Sequence, residues 1–383
     1  MTTLMEKPAA APSAWPAWFQ AEQSAALAEY EKLPVPVRKD ESWRFANLKA
    51  LDLSAFIDAA PVASEGRLIN ASTGLKQTSA KLILGNNSLL HREAAALPKG
   101  VILETLESAA TNHADLFKKY FMAQPVELGS RKYAALHKAR VAGGAFLYVP
   151  ANTSVELPIE LFQWVEGANA SVFPHTLIVC GENSRVTVVD YFKSADHLPA
   201  FACGVSDLHL ARGAKLTYIS VQDWSRETTA FHLNSTIVDR DATATALIAN
   251  FGGAFIRGES LSRLVGEGSR SEMYSINPVE GTREIDQRTL QSVRILVLVH
   301  QDPAMLLPCS CGNKGVVAQQ LIGAQNLVAK IEQATLVQDR AVGTQRRAEL
   351  PMLGGEQIHR VGIRGQVPLE FKIGGRRCGT ACL

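Results

Sequence analysis

The sequence predicts a mainly β protein whose core is a β-solenoid, a coil of short parallel strands. The first observation is a turn-and-strand phrase that occurs five times, at steps of 31, 30, 28 and 27 residues. A near-constant period with strands in each unit is typical of a solenoid or of a regular β-sandwich. The turn residues at equivalent places are Asn152-Thr153, Asn183-Ser184, Gly213-Ala214, Asp241-Ala242 and Gly268-Ser269.

The second observation is that another strand-like piece precedes each turn phrase, as "HTLIVC" (175–180) precedes "GENSRVTVVDYF" (181–192). Apolar residues fill alternate positions of the turn phrases. Each coil can hide its apolar row only by stacking on its neighbours, so several coils and an end cap are required. A sandwich would show more irregular turn spacing. The pattern therefore favours the solenoid over the sandwich.

The third observation is a change of pattern along the chain, which predicts three regions. Residues 1–130 form an N-terminal mixed α/β region, with helical spacing over 18–33. Residues 131–291 form the solenoid core, which begins with an Ala-rich helix that ends at Gly143-Gly144. Residues 292–383 form a divergent tail to which the sequence assigns no clear fold.

Composition restricts the class of protein. The formal net charge is +2, from 39 basic and 37 acidic side chains, and residues 1–291 carry no basic patch, so we expect no nucleic-acid partner. No apolar run approaches the roughly 20 residues of a membrane span, and the N-terminus lacks a signal pattern. We therefore expect a cytoplasmic protein with no membrane partner. Six cysteines, of which only Cys180 and Cys203 precede residue 300, do not form a disulfide framework.

Several sequence segments resemble the SufB/SufD family of the SUF iron–sulfur cluster assembly machinery, and its SufD-like members more than its SufB-like ones. The resemblance extends from about residue 15 to residue 291 and rests on the order and spacing of its pieces. These are "LPVPVRKDESWRFANL" (33–48), "ALHKARVAGGAFLYVPANTSVELPIEL" (135–161), "GENSRVTVVDYF" (181–192), "LNSTIVDRDATATALIANFGGAFIRGESLSRLVGEGSRSEMYSI" (233–276) and "REIDQRTLQ" (283–291).

The resemblance implies a right-handed parallel β-helix between an N-terminal mixed region and a C-terminal helical region. It also implies a non-enzymatic scaffold subunit, in a complex with a SufB-like subunit and a SufC-like ATPase. No cofactor is assigned to this chain itself, and a transient iron–sulfur cluster is expected only at the level of the complex. Period and composition alone lead to the solenoid and do not lead to iron–sulfur chemistry.

The tail departs from the family pattern. Residues 292–383 carry 11 basic and 6 acidic side chains, four of the six cysteines, and Phe371 as the sole Phe, Tyr or Trp. Two explanations compete: a divergent C-terminus, or a change of reading frame near codon 291. The abrupt shifts in charge, cysteine and aromatic content favour the frame change. On this hypothesis the chain is a compromised version of the scaffold.

The tail also contains the candidate metal ligands, Cys309 and Cys311. In Cys309-Ser310-Cys311-Gly312 a cysteine stands where the family has histidine, so no functional residue is carried over from the family. Together with Cys378 and Cys382, these thiolates could bind a soft metal or a cluster if a fold brought them together. Unrelated free thiols are the favoured interpretation, because the spacing is not that of a Cys-x-x-Cys knuckle.

Other polar residues receive structural assignments. We expect Cys180 and Cys203 to lie in the core and the Trp43-Arg44-Phe45 segment to attach a turn to the body rather than to anchor a partner. The remaining candidates are expected at the solenoid surface or in turns, without a catalytic acid–base pair. They are His175, His209 and His232, with Asp190, Asp207, Asp223, Asp239 and Asp241.

Two alternative functions remain open. A polysaccharide-active β-helix enzyme would need a carboxylate-lined groove. A β-solenoid adaptor unrelated to cluster assembly would need only an exposed surface. The glycine-rich stretches lack the Lys-Ser/Thr of a phosphate-binding loop, so the chain is not itself predicted to be the ATPase.

Overall fold

The computed structural model describes residues 15–94, 97–293, 334–338, 368–373 and 376–382. The chain divides into two compact units, Met1–Thr289 and Leu290–Leu383. In the second unit the described strands wholly within it are β17 (Ala334–Gln338), β18 (Pro368–Ile373) and β19 (Arg376–Cys382), and the last two pair antiparallel.

The N-terminal part of the first unit mixes short helices and strands. Its helices are α1 (Ala17–Lys32), α2 (Glu65–Ala71), α3 (Leu106–Asn112), α4 (Ala114–Tyr120) and α5 (Arg131–Arg140), with 3₁₀ helices at Glu41–Trp43 and Leu48–Leu51. Its strands are β1 (Ile57–Asp58), β2 (Ala80–Gly85), β3 (Ser88–Glu93) and β4 (Ile102–Thr105). The helix predicted over 18–33 is thereby confirmed as α1.

The rest of the first unit is a succession of strands. They are β5 (Gly144–Val149), β6 (Ile159–Val165), β7 (Ala170–Val172), β8 (His175–Cys180), β9 (Arg185–Ser194), β10 (Ala200–Leu210), β11 (Lys215–Asp223), β12 (Thr228–Val238), β13 (Thr243–Asn250), β14 (Phe255–Leu264), β15 (Arg270–Ile276) and β16 (Glu284–Val293), the last of which continues past Thr289.

These strands form two facing parallel sheets. Along the solenoid, sheet A has the order β16-β14-β12-β10-β8-β5, and sheet B has the order β15-β13-β11-β9-β6. Each of five coils contributes one strand to each sheet, and β16 adds a sixth strand to sheet A. Hydrogen-bonded partners in sheet A are 31, 30, 28 and 26 residues apart from the first coil to the last. The prediction of a mainly β chain built on a parallel solenoid is confirmed.

The corners between the two sheets lie at the predicted turns. Asn152, Asn183, Gly213, Asp241 and Gly268 all adopt left-handed backbone, with φ between 53° and 70°. Asparagine, aspartate and glycine tolerate this conformation better than other residues. The first four also donate their amides to a carbonyl of the next coil, at 2.7 to 2.9 Å. A ladder of corners therefore runs along the solenoid.

The N-terminal part covers the start of the solenoid and the outer face of sheet A. Strand β2 pairs parallel with β6 and antiparallel with β3, while β4 pairs antiparallel with β5. Helices α1 and α5 pack together, and one apolar cluster contains Phe19, Trp43 and Phe117 with Phe201 and Phe231 of sheet A. Burying each of these rings contributes about 2–3 kcal/mol.

This cover makes the two sheets different. Every residue of β10 in sheet A is buried, whereas buried and partly exposed residues alternate along β11 in sheet B. The predicted division at residues 130 and 291 stays a prediction.

Candidate functional site

The last coil presents a free strand edge. Strand β15 pairs with β13 along one edge, and in the described part of the chain no strand pairs with its other edge. Backbone N–H and C=O groups at such an edge are available to another chain. The end of the solenoid is therefore the candidate docking site.

Apolar side chains surround this edge. Tyr274 and Ile276, near the end of β15, are 53% and 48% exposed, and Val279 just beyond it is 61% exposed. Val265, before β15, is 42% exposed. Exposed apolar residues beside an unpaired strand favour strand addition by a partner, because main-chain hydrogen bonds give affinity and side-chain contacts give specificity.

A second feature is a buried polar network on the outer face of sheet A. His137 of α5 lies with Nδ1 2.7 Å from the Cys203 carbonyl oxygen and Nε2 3.0 Å from His175 Nδ1. His175 Nε2 lies 3.3 Å from Asp207 Oδ2, which accepts a 2.6 Å hydrogen bond from the Met122 amide. The network joins the N-terminal part of the chain to two coils.

The electrostatics of this network follow from burial. Burial, together with a smaller contribution from the adjacent His175, lowers the pKa of His137 to about 3. Burial raises the pKa of Asp207, but the hydrogen bond and charge of His175, the charge of His209 and the Met122 amide together bring it below its usual value. Asp207 is therefore ionised at neutral pH.

His209 lies on the same face and donates from Nε2 to the Tyr120 carbonyl oxygen at 2.8 Å. Burial lowers its pKa.

A third feature is a polar network in the solenoid interior. Asp190 accepts hydrogen bonds from Gln163 Nε2 (3.0 Å), Thr176 Oγ1 (2.6 Å) and Tyr218 Oη (2.9 Å). Burial raises the pKa of Asp190 to about 6, and the hydrogen bonds oppose that rise.

The same interior network continues from the Tyr218 hydroxyl. Ser206 Oγ lies 2.8 Å from that hydroxyl and 2.9 Å from His232 Nε2. Burial lowers the pKa of His232 to about 3, so this ring is neutral. The network thus crosses the interior from sheet B to sheet A with every member buried.

These networks correct two expectations. His175, His209 and His232 do not project from the solenoid surface, since all three are buried. Asp190 and Asp207 are buried as well, so neither lines an accessible groove. The N-terminal part of the chain covers the outer residues, and the opposite sheet encloses the inner ones. Asp223, Asp239 and Asp241 fit their expected turn and surface positions: Asp223 ends β11 exposed, and the other two lie at a corner.

The remaining predicted residues are placed as follows. Cys180 and Cys203 are buried free thiols, as expected, and burial raises the pKa of each, that of Cys180 to about 12. The metal candidates Cys309 and Cys311 lie outside the described residues. Within the described residues, no three His, Cys, Asp or Glu side chains are grouped to hold a metal ion.

Trp43 supports the structural interpretation of its segment. It is 1% exposed, it donates from Nε1 to the Gly129 carbonyl oxygen at 3.0 Å, and the Arg257 guanidinium lies 4.1 Å from its ring centre. Sequence reasoning missed Arg257, whose side chain is fully buried and bonds to Glu259, Asp286 and the carbonyl oxygens of the N-terminal part. The distance in sequence between these partners explains the omission.

Two adjoining family models match almost all of the first unit. The model of the SufBD protein N-terminal region matches residues 9–161, and that of the SUF system FeS cluster assembly SufBD core domain matches residues 163–294. The chain belongs to the SufBD family. The resemblance inferred from the sequence is confirmed, and SufBD proteins act in iron–sulfur cluster assembly. The match ends close to the change of composition at residue 291.

Individual relatives agree with this assignment. The chain is 31% identical over 226 residues to the iron–sulfur cluster assembly protein SufD of Bacillus subtilis. The matched stretch covers 56% of this chain and 51% of that protein. It is 28% identical over 184 residues to iron–sulfur cluster assembly SufBD family proteins of Staphylococcus haemolyticus and Staphylococcus aureus. These matches cover 46% of this chain and 38% of each relative. The chain spans about half or less of the length of these curated relatives.

No helix in the described part of this SufBD chain is both long and apolar enough to cross a membrane.

Proposed function

We propose that this SufBD chain is a non-catalytic, cytoplasmic scaffold subunit of a SufBCD-type complex for iron–sulfur cluster assembly. Its partners are a SufB-like subunit and a SufC-like ATPase, and any cluster is a transient cargo of the complex. The family assignment supports the process, and the free edge of β15 supports the docking role. The five stacked coils would act as a stiff body that transmits movement between partners.

The single observation that carries the docking role is the exposed apolar edge of the last coil. Tyr274, Ile276 and Val279 remain exposed beside an edge with no described partner strand. In this proposal the SufB-like subunit adds a strand beside β15 and covers these side chains.

The altered tail adds a second element to the proposal. The parts expected to bind the ATPase, and to complete the site at the subunit interface, would lie after residue 291. We propose that this chain binds its partners more weakly than one with a family-like C-terminal region.

The test is co-purification with SufB-like and SufC-like proteins of the same organism. Ile276→Lys should abolish capture of the SufB-like protein. Val37→Lys should leave capture unchanged, because Val37 is equally exposed, at 49%, but lies far from the edge in sequence and in a loop. Equal capture by the two variants would contradict the docking role of β15.

A second form of the protein tests the contribution of residues 292–383 separately from that of residues 1–291. In this form the residues after 291 are encoded by another forward reading frame of the same nucleotide sequence. Stronger capture of the SufC-like ATPase by this form would support the proposed loss of function. Normal binding of both partners by the 383-residue chain would overturn that part of the proposal.

A further inference from the structure

The hydrogen bonds of the buried chain His137–His175–Asp207 determine which ring nitrogens of the two histidines carry protons. The assignment begins at Pro174. In sheet A, Val205 donates its amide to the Pro174 carbonyl oxygen at 3.0 Å, so the odd-numbered residues of β10 bond toward β7 and β8. By the parallel ladder, the Cys203 carbonyl would accept from the amide of residue 174. Proline has no N–H group. The Cys203 carbonyl therefore has no ladder donor.

His137 supplies the missing donor from α5. Its Nδ1 lies 2.7 Å from the Cys203 oxygen, and because a carbonyl only accepts, the proton must be on Nδ1. When the His137 ring is neutral, its Nε2 is then an acceptor. His175 Nδ1, 3.0 Å away, must donate to it. The tautomer of both rings follows from one proline.

The last contact requires a further proton. With its Nδ1 protonated, a neutral His175 would place the lone pair of Nε2 only 3.3 Å from Asp207 Oδ2. Nε2 has no hydrogen-bond partner in the structure, and Oδ2 already accepts from the Met122 amide. In a fully buried site a lone pair beside a carboxylate is repelled, whereas an imidazolium is attracted, so the site favours a further proton on the ring.

We infer that the His137–His175–Asp207 chain holds one proton more than two neutral rings and a carboxylate, and that this proton fastens α5 and the Phe121-Met122 segment to sheet A. The extra proton resides chiefly on His175, as an imidazolium paired with the Asp207 carboxylate. Phe121 stacks on the His175 ring, with centroids 4.4 Å apart, and excludes water from it. The device is a pH-sensitive latch built into the fold.

The other titratable groups around the latch do not replace this proton. His209 of β10 donates to the Tyr120 carbonyl oxygen, and His232 faces the interior as a neutral ring. Lys119 of α4 acts on His209 and lowers its pKa further. The Cys203 thiol remains protonated, since burial raises its pKa.

The sign of the pH effect follows from the proton count. An unfolded histidine has a pKa near 6.5, so above that pH the unfolded chain has released the proton that the latch retains. The folded state then binds more protons, and its stability falls as pH rises toward the midpoint of the latch. Loss of the proton leaves the His175 lone pair against the Asp207 carboxylate and releases α5.

The experiment is nitrogen-15 NMR of the full chain labelled at histidine. At pH 8 the His175 ring should show both nitrogens protonated, with a coupling to His137 across their hydrogen bond. His113 provides the control, because its Nε2 lies at the same 3.3 Å distance from Glu104 Oε1 but both side chains are partly exposed. A neutral His175 ring at that pH would overturn the inference.

A pair of variants tests the proton count separately from folding. In His137→Gln the amide can donate to the Cys203 oxygen and accept from His175 Nδ1, so the extra proton is retained. In His137→Leu neither contact exists, and a neutral His175 can donate from Nε2 to Asp207. The unfolding equilibrium constant of wild type and His137→Gln should rise by up to tenfold per pH unit above pH 6.5 relative to His137→Leu. If the unfolding equilibrium constants of all three proteins depended on pH in the same way, the inferred extra proton would be contradicted.

Discussion

Sheets A and B are made by the same five coils, yet they differ in what covers them. Every residue of β10 in sheet A is buried, because the N-terminal part of the chain packs on the outer side of this sheet. In sheet B, β6 at the start of the solenoid is also buried throughout, but buried and partly exposed positions alternate along β11. The outer face of sheet A accordingly carries buried ionic groups, which include Asp207, Arg257 and Glu259. The comparison shows that one repeat can carry two kinds of strand when a second region covers one sheet more fully than the other.

The largest expected effect comes from a substitution that breaks the ionic cluster on the outer face of sheet A. Arg257→Met leaves the Glu259 and Asp286 carboxylates without their buried cation and should cost about 3–5 kcal/mol in the free energy of unfolding. The matched change on sheet B is Lys193→Met, which removes the ion pair with the exposed Asp223 and should cost about 0–1 kcal/mol. Urea unfolding measures both, and equal losses would refute the contrast.

The next effect tests the interior that both sheets enclose. Because the pKa of Asp190 is raised to about 6, the folded state binds a proton between about pH 4 and pH 6 that the unfolded state has released. This group alone lowers stability by roughly 3 kcal/mol as pH rises through this window, against the opposite contributions of His137 and His232, whose pKa values are lowered to about 3. Stability should therefore rise more steeply with pH in Asp190→Asn than in the wild type or in the surface variant Asp223→Asn. Parallel pH profiles for Asp190→Asn and Asp223→Asn would assign the titration to another group.

A smaller effect concerns the corner between the sheets. Gly213 has φ +68°, and a Cβ there would lie 2.3 Å from Asn183 Oδ1 of the previous coil. Gly213→Ala should cost about 2 kcal/mol, since the backbone strain adds to the steric contact. Gly66→Ala in α2 meets nothing within 4 Å and should stabilise the protein by about 0.5–1 kcal/mol. Thermal unfolding of the two variants should shift in opposite directions.

The smallest effect compares single hydroxyl groups on the two outer faces. Ser235 of sheet A accepts a 2.8 Å hydrogen bond from Gln124, so Ser235→Ala should cost about 1 kcal/mol. Thr217→Val on the half-exposed face of sheet B should change stability by less than about 0.5 kcal/mol. Indistinguishable denaturation midpoints would show that the cover on sheet A adds little at this position.

The same comparison explains what the sequence could and could not predict. The corners were predictable because left-handed backbone restricts the residue type, as at Asn183 and Gly213. The strands of sheet B were predictable from alternation. His175 and Asp207 were assigned to the surface because the elements that bury them, α5 and the end of α4, lie elsewhere in the sequence.

A usable signal for sheet A nevertheless existed. "AFACGVSDLHL" (200–210) does not alternate cleanly between apolar and polar residues, which is typical of a strand covered on both faces. Pro174 next to a strand also removes a ladder donor, so a side chain had to replace it. Which side chain replaces it depends on tertiary packing, and the sequence pattern does not contain that information.

The steps between successive corners shorten from 31 to 27 residues along the chain. At about 3.3 Å per extended residue, the contour of one turn decreases by roughly 13 Å from the covered end to the free end. The last coil therefore contains less chain than the first, and a partner that adds a strand beside β15 meets this shorter coil. Because β16 already pairs with β14 in sheet A, such a partner would extend sheet B alone.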